Sequence, residues 1–311
     1  MTLLCVRNLS KTYPGAKGRA VQAVSDVSLT LAAGEVLGIV GESGCGKSTL
    51  GRAILRLIEP SAGQILFQDR DWMALRGAAL KAARKNAQII FQDPFGALNP
   101  RHTVGHIIAE PLIVHGVGDK AARAARVAEL LALVGLPPDA GARYPHEFSG
   151  GQRQRIAIAR ALALNPRLIV ADEAVSALDV SVQSQIINLI ADLRRRLGLS
   201  ILFISHDLSV IRHVSDRIAV MYLGRIVETG PAAQVMEAPR HPYTQALLSA
   251  IPRAGVSRKD RTVLVGEVPD PANPPPGCAF HTRCPVAQEG CRVTRPELRA
   301  LAEGEVACHL V

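Results

Sequence analysis

The apolar and polar positions of the chain follow two periods that alternate along its length. Apolar runs of strand length, such as Val36–Val40 and residues 200–205, are separated by longer stretches whose apolar residues have helical spacing. Residues 181–197 have the amphipathic pattern of a helix with one buried face. The pattern therefore predicts an α/β fold, with polar residues collected where strands end.

One loop that joins a predicted strand to a predicted helix has the residues of a phosphate-binding site. Residues 41–49, GESGCGKST, fit the P-loop pattern G-x-x-x-x-G-K-[ST]. Glycines let backbone N–H groups surround a phosphate, and the following helix adds its positive N-terminus. A glycine-rich turn that only opens a helix is the alternative. We expect nucleotide contacts from Gly41, Ser43, Gly44, Cys45, Gly46, Lys47, Ser48 and Thr49, with Ser48 also ligating Mg²⁺.

Other polar residues end predicted strands. Asp172 and Glu173 follow an apolar run, and an acid at that place in a P-loop protein is expected to hold Mg²⁺ while its neighbour can act as a base. Gln92 and His206 each end another strand, where His206 can sense a phosphate. Tyr13, in a turn-rich loop, either packs or stacks on a base.

A second set of glycines opens a helix further along the chain. Ser149 suits the N-cap of that helix, and Gly150, Gly151 and Gln152 follow it. Exposed N–H groups at such a helix start can form a second anion site.

The composition indicates where in the cell the protein is expected and which partners are not expected. Of its 311 residues, 48% are apolar, yet no apolar run has the length of a membrane span. The N-terminus lacks the arrangement of a signal peptide, so we expect a cytosolic protein. The net charge of +9 is scattered and aromatic residues are only 4%, so we expect no nucleic-acid partner.

The composition changes after residue 252, where a proline-rich stretch precedes a cysteine-rich end. Cys278, Cys284, Cys291 and Cys308 lie close together in sequence without the paired C-x-x-C spacing of structural zinc sites. Three readings stay open: thiolate ligands of an iron–sulfur cluster, a zinc site that includes His281 or His309, and four unliganded thiols.

Taken together, these motifs resemble the ABC ATPases. The P-loop matches Walker A, Gln92 the Q-loop, residues 148–152 the signature, residues 168–173 Walker B, residues 176–179 the D-loop and His206 the switch, in the order of that family. The resemblance covers roughly residues 3–250. Phe148 stands where many members have leucine, which keeps the position apolar.

Three further segments narrow the resemblance. Residues 91–101, residues 241–247 and the cysteine-containing tail look like the ATP-binding subunits of dipeptide and oligopeptide importers. Asp93 and the run Asn99-Pro100-Arg101 are more like the second of the two paired ATPase subunits. Nickel importers share much of this pattern, so an importer of nickel or another small solute is the alternative.

The resemblance implies a P-loop fold with a RecA-like core, an antiparallel β-subdomain and a helical signature subdomain at about residues 93–165. The ATPase domain would span residues 1–252 and the extension residues 253–311. Some importer ATPases with similar tails hold a [4Fe–4S] cluster there, which the resemblance extends to the four cysteines here, with Zn²⁺ as the alternative.

The resemblance also implies roles. Tyr13 would stack on adenine, Asp172 would hold Mg²⁺ with Ser48 and Gln92, Glu173 would polarise the attacking water, and His206 would touch the γ-phosphate. In such a pair of subunits, the signature residues of one chain would close over the nucleotide that the other chain binds. In this chain the signature residues are Ser149, Gly150, Gly151 and Gln152.

The implied assembly is a peptide importer at the cytoplasmic face of the inner membrane. This chain would be a peripheral ATP hydrolase bound to a paralogous ATPase, two transmembrane permeases and, through them, an extracytoplasmic peptide-binding protein. A soluble ABC ATPase acting on DNA or ribosomes is disfavoured, because one cassette is present and no long coiled-coil insertion is found. A P-loop kinase would not need the signature residues.

Overall fold

The computed structural model of the chain describes residues 1–15, 19–250 and 266–311. Its strands, in chain order, are β1 (Thr2–Pro14), β2 (Ala20–Ala32), β3 (Val36–Val40), β4 (Ala62–Phe67), β5 (Arg70–Asp71), β6 (Ala87–Ile90), β7 (Leu168–Asp172), β8 (Ser200–Ile204), β9 (Arg217–Tyr222), β10 (Arg225–Pro231), β11 (Arg299–Leu301) and β12 (Gly304–Val306). Its α-helices are α1 (Lys47–Ile54), α2 (Gly77–Ala83), α3 (Pro94–Ala97), α4 (Val104–Val114), α5 (Lys120–Leu133), α6 (Gly150–Leu162), α7 (Val180–Leu197), α8 (Leu208–Val214), α9 (Ala232–Glu237), α10 (Pro242–Ser249) and α11 (Glu289–Val293).

Two compact units make up the fold, and each is built from separate segments of the chain. The first unit consists of Met1, Ala32–Glu35 and Trp72–Leu202. The second consists of Thr2–Leu31, Val36–Asp71 and Phe203–Val311.

The second unit contains the predicted antiparallel β-subdomain, a sheet with strand order β2-β1-β4-β5. The apolar pattern predicts short strands at residues 4–7, 23–24 and 27–31, and this prediction was wrong, because β1 and β2 are each 13 residues long. Asn8 and Asp26 have left-handed backbone conformations and their side chains hydrogen-bond at 2.7 Å. They bend the strands and interrupt the apolar alternation without ending the strands.

The remaining strands of the second unit follow one another on one side of β3. β3 pairs with β9 in parallel. The apolar pattern of residues 217–229 predicts a hairpin, which β9 and β10 form, turning at Leu223 and Gly224, which both have positive φ. β10 pairs in turn with β12, and β12 with β11. The cysteine-rich end of the chain therefore contributes strands to the sheet that holds β3. The predicted start of the extension, residue 253, lies outside the described residues.

The first unit contains the parallel pair β6 and β7 and most of the long helices. Helix α6 packs on α3, α4 and α5. Helix α7 buries Ile186, Ile190 and Leu193, as its amphipathic pattern predicted, and ends at Gly198, which has a left-handed φ.

Proline does not break the helix where the sequence suggested. The sequence predicts helix over residues 103–135 with a break at Glu110 and Pro111, but α4 continues through Pro111 to Val114. Burial of Ile108 and Leu112 holds both sides of the proline in one helix, which outweighs the single N–H that proline lacks. The interruption comes later, where Gly116 and Gly118 adopt positive φ. In the described part of the chain, no helix combines the length and apolar character needed to cross a lipid bilayer.

Candidate nucleotide site

The P-loop joins the fully buried strand β3 to helix α1 in the second unit. Gly46 has φ of 100°, and a Cβ built on it would lie 1.9 Å from the carbonyl oxygen of Ala23. A Cβ on Gly41 would lie 2.2 Å from the carbonyl oxygen of Met221. Only glycine fits at these two positions, so the loop can keep its backbone N–H groups available as an anion cradle.

Lys47 is placed by this loop. Its side chain is only 4% exposed, and Nζ donates to the carbonyl oxygens of Gly41 at 2.8 Å and Glu42 at 2.9 Å. The ammonium is therefore held against the loop that a phosphate would occupy. Burial raises the pKa of the adjacent Cys45 thiol, an effect that the positive charge of Lys47 partly offsets.

The other predicted residues of the loop differ in exposure. Ser43 and Gly44 are exposed, and Ser48 and Thr49 are half-buried in the first turn of α1. Tyr13, predicted to stack on adenine, is half-buried near the end of β1, with Lys11 Nζ 5.0 Å from the centre of its ring.

Two residues that hold the P-loop were missed at the level of sequence. The backbone N–H of Glu42 donates to the hydroxyl of Tyr243 at 2.9 Å. The guanidinium of Arg283 donates to both carboxylate oxygens of Glu42, at 2.7 and 3.0 Å. The only sequence signal was the segment of residues 241–247, which was assigned a resemblance but no role.

His206, the predicted phosphate sensor, also belongs to the second unit. It is exposed and directly follows β8 and the buried Ser205. The Ser205 hydroxyl accepts a hydrogen bond from Asp207 N at 2.9 Å, and the Asp207 carboxylate accepts from Ser209 N and Val210 N at the start of α8. These hydrogen bonds hold the backbone on both sides of His206 at the end of the strand.

The first unit brings together two of the predicted site residues, Gln92 and Glu173. The amide nitrogen of Gln92 donates to Glu173 Oε2 at 2.8 Å, although the residues are far apart in sequence. Glu173 has φ of 48°, a left-handed conformation that costs a non-glycine residue about 1–3 kcal/mol and is concentrated at functional sites. The preceding Asp172, the last residue of β7, is fully buried.

The signature segment forms the start of α6. The Ser149 hydroxyl accepts from Gln152 N at 3.4 Å, and Gln152 Oε1 accepts from Ser149 N at 3.0 Å, which is a capping box. Ser149 and Gln152 are exposed, and Gly150 and Gly151 are half-buried. Phe148 is buried under the guanidinium of Arg143, which supports the apolar character expected at that position.

The four tail cysteines converge on one small cavity, which we call the four-cysteine cavity. Cys278, Cys284, Cys291 and Cys308 all line it, together with His281 and His309. Burial is the main cause that raises the pKa values of the Cys278 and Cys284 thiols. Within the described ranges, no group of three or more metal-ligating side chains has the arrangement of a metal-ion site.

Comparison with known proteins agrees with the strand, P-loop and helix described above. A model of the ABC transporter family matches residues 24–176, and a model described as the oligopeptide/dipeptide transporter C-terminal region matches residues 227–291. The oligopeptide transport ATP-binding protein AppF of Bacillus subtilis is 54% identical, over 99% of this chain and 97% of its own length. A putative peptide import ATP-binding protein of Brucella ovis is 53% identical, over 97% and 95%.

Solved structures of ATP-binding cassettes also resemble this chain. The dimeric ATP-binding cassette MJ0796, in a post-hydrolysis state bound to ADP and Pi, is 31% identical with a TM-score of 0.67, covering 74% of this chain and 98% of its own. The fold is thus that of an ABC-type P-loop ATPase. The chain belongs to the ABC transporter family and, within it, to the group of oligopeptide and dipeptide transporter ATP-binding proteins.

Proposed function

We propose that this chain is the ATP-hydrolysing subunit of an importer that takes up dipeptides or oligopeptides across the cytoplasmic membrane. The observation that carries the proposal is the likeness to peptide-transport ATP-binding proteins over nearly the whole chain, including the tail. We retain the division into an ATPase domain, residues 1–252, with a helical subdomain at about 93–165, and an extension, residues 253–311.

ATP is the substrate, and the P-loop fits it. The close approaches at Gly41 and Gly46 keep side chains out of the cradle, and the buried Lys47 ammonium is available to exchange its carbonyl partners for phosphate oxygens. Tyr13 supplies an aromatic face for adenine. Mg²⁺, when bound, would neutralise phosphate charge; Ser48, Asp172 and Gln92 would hold it through oxygen atoms, the donor type that suits this ion.

Hydrolysis needs a base that orients water. Glu173 takes this role because its carboxylate, in a strained backbone conformation, is oriented by Gln92. The neighbouring Asp172 serves the metal. His206 contacts the γ-phosphate from the end of β8.

The signature residues act on the nucleotide of a second ATPase subunit. Ser149 and Gln152 are exposed, and their capping box presents the N-terminus of α6 outward, where it can receive an anion. The second subunit is a paralogue, and two permeases and a peptide-binding protein complete the importer. The chain is peripheral, at the cytoplasmic face of the inner membrane.

Isolation of the native assembly tests this function. The tagged chain is purified from gently solubilised membranes, and its partners are identified by mass spectrometry. We expect two hydrophobic permeases and a paralogous ATPase. Recovery with permeases of a nickel or other small-solute importer would support the alternative cargo, and recovery with DNA or ribosomes would refute transport.

We further propose that the four-cysteine cavity holds a [4Fe–4S] cluster. The support is that all four thiols, spread from Cys278 to Cys308, line the same cavity. Four Cys thiolates are the donor set of a [4Fe–4S] cluster, so the side chains that line the cavity have the chemistry that such a cluster needs. A bound cluster cross-links the short tail, which can bury little apolar surface alone.

The cluster is tested by anaerobic purification with iron, sulfide and zinc analysis. We expect a brown protein with about four iron atoms per chain, absent from a Cys284→Ser variant and retained in a Cys5→Ser control, since Cys5 lies in β1 outside the cavity lining. Zinc in place of iron would establish the zinc alternative, and absence of both metals would leave the thiols unliganded.

A further inference from the structure

Glu42, the second residue of the P-loop, is held at three points by groups within the second unit. Its N–H donates to Tyr243, its carbonyl oxygen accepts from Lys47, and its carboxylate accepts two hydrogen bonds from Arg283. Arg283 lies 241 positions further along the sequence, in the cysteine-rich tail. The tail thus contacts the nucleotide loop directly.

The negative charge of Glu42 affects phosphate binding unless Arg283 neutralises it. A carboxylate in a loop that binds phosphates repels its ligand, and the repulsion is strong where solvent is excluded. The Arg283 side chain is only 5% exposed and that of Glu42 24%, so the guanidinium is shielded from water and the carboxylate is partly shielded. A bidentate guanidinium cancels the carboxylate charge and also fixes its direction.

Arg283 is itself held in place by the fold of the tail. Its guanidinium carbon lies 5.9 Å from the centre of the Tyr222 ring, and its backbone N–H donates to Phe280 at 3.0 Å. Phe280 is buried against Tyr222 and Tyr243, with ring centres 5.3 and 5.4 Å away. Tyr243 is the residue whose hydroxyl binds Glu42, so one aromatic cluster supports both contacts to the loop.

We propose that Arg283 is a positioning residue of the nucleotide site, which neutralises Glu42 and presets the P-loop for ATP. The inference rests on the proposed ATP-binding function and adds a dependence on the tail that the P-loop motif does not contain. Cys284 follows Arg283 directly and lines the four-cysteine cavity. We therefore expect the affinity for ATP to depend on this residue of the tail.

The test is a double-mutant cycle on the full-length chain, with a fluorescent ATP analogue as the probe. We expect Arg283→Ala to raise the Kd about tenfold, since charge-assisted hydrogen bonds are lost and Glu42 is left uncompensated. In the Glu42→Gln background the same Arg283→Ala change should cost less than about twofold, because no carboxylate remains to repel phosphate.

Two controls separate this role from general effects. Arg292→Ala removes the same charge from an exposed tail position and should leave the Kd unchanged. Arg283→Lys keeps the charge without the planar fork, so it tests the contact even if the alanine variant does not fold, and should raise the Kd about threefold.

The outcomes are distinct from a failure of the proposed function. A wild-type chain that binds no ATP analogue would refute the function itself. A wild-type chain that binds, with Arg283→Ala equally costly in both backgrounds or Arg283→Lys equal to wild type, would overturn the positioning role.

Discussion

Glu173 and Gln92 are the side chains on which the proposed chemistry depends most. The residues of β7 before Glu173 have extended backbone, whereas Glu173 itself is left-handed and accepts a hydrogen bond from Gln92. Such strain is maintained only where the surrounding structure fixes it, which agrees with a base held ready for water.

Glu173→Gln should therefore keep ATP binding and lose turnover. The amide has nearly the same shape but cannot accept the proton of the attacking water, and loss of a general base costs at least about a hundredfold in rate. Single-turnover hydrolysis measures the effect. Glu129→Gln, on the exposed face of α5, is the matched control; a Glu173 variant as fast as this control would remove Glu173 from the role.

Lys47→Ala should weaken ATP binding by at least about a hundredfold, because two charge-assisted hydrogen bonds to phosphate are lost. Isothermal titration calorimetry gives the affinity directly. Lys120→Ala, which removes an exposed ammonium at the start of α5, should bind like the wild type. An unchanged affinity in Lys47→Ala would mean that the buried ammonium is only structural.

At the scale of elements, the join between the tail and the sheet depends on His241, the N-cap of α10. His241 is 1% exposed, and its Nδ1 accepts a hydrogen bond from Tyr243 N at 3.0 Å, so this nitrogen carries no proton. Burial lowers the pKa of His241 from 6.5 to about 4, against a smaller opposing effect of a hydrogen bond with Ala307.

This lowered pKa makes the free energy of unfolding depend on pH. Between pH 4 and 6.5 the unfolded chain binds the proton and the folded chain does not, so the stabilisation is complete above pH 6.5 and is lost as pH falls toward 4. The loss has a ceiling of about 3 kcal/mol. The free energy of unfolding is measured in urea at several pH values on chelator-treated protein. In His241→Asn, which keeps an N-cap acceptor, this free energy should change less with pH than in the wild type. Parallel curves for the two proteins would contradict this.

Some helices and strands could be predicted from the sequence, and others could not. The spacing of glycines, lysine and strand-end acids predicted β3, the P-loop, α1 and the ends of β7 and β8, because local backbone requirements fix those residue types. The length of β1 and the path of α4 through Pro111 depend on bulges and burial that no local period records. The contact of Arg283 with Glu42 links distant positions and follows only from the pairing of β10 with β12 and the packing of Phe280.

For the whole molecule, the exposed signature segment predicts dependence on a second subunit. Ser149→Arg should leave ATP binding to the isolated chain within about twofold of wild type and block hydrolysis in the assembled transporter, because the bulky cation occupies the place of the partner's phosphate. Ala124→Arg, an equal change on the exposed face of α5, is the control for added charge. Loss of ATP binding by the isolated Ser149→Arg chain would contradict the two-subunit arrangement.

In the proposed function, ATP hydrolysis by this chain drives peptide import. The most direct measurement is ATPase activity of the native complex in proteoliposomes, with its binding protein added, in the presence and absence of di- and oligopeptides. We expect that peptide raises hydrolysis several-fold, that labelled peptide accumulates in the lumen only with ATP, and that Glu173→Gln abolishes both. Hydrolysis that ignores peptide and binding protein, with no accumulation, would contradict it.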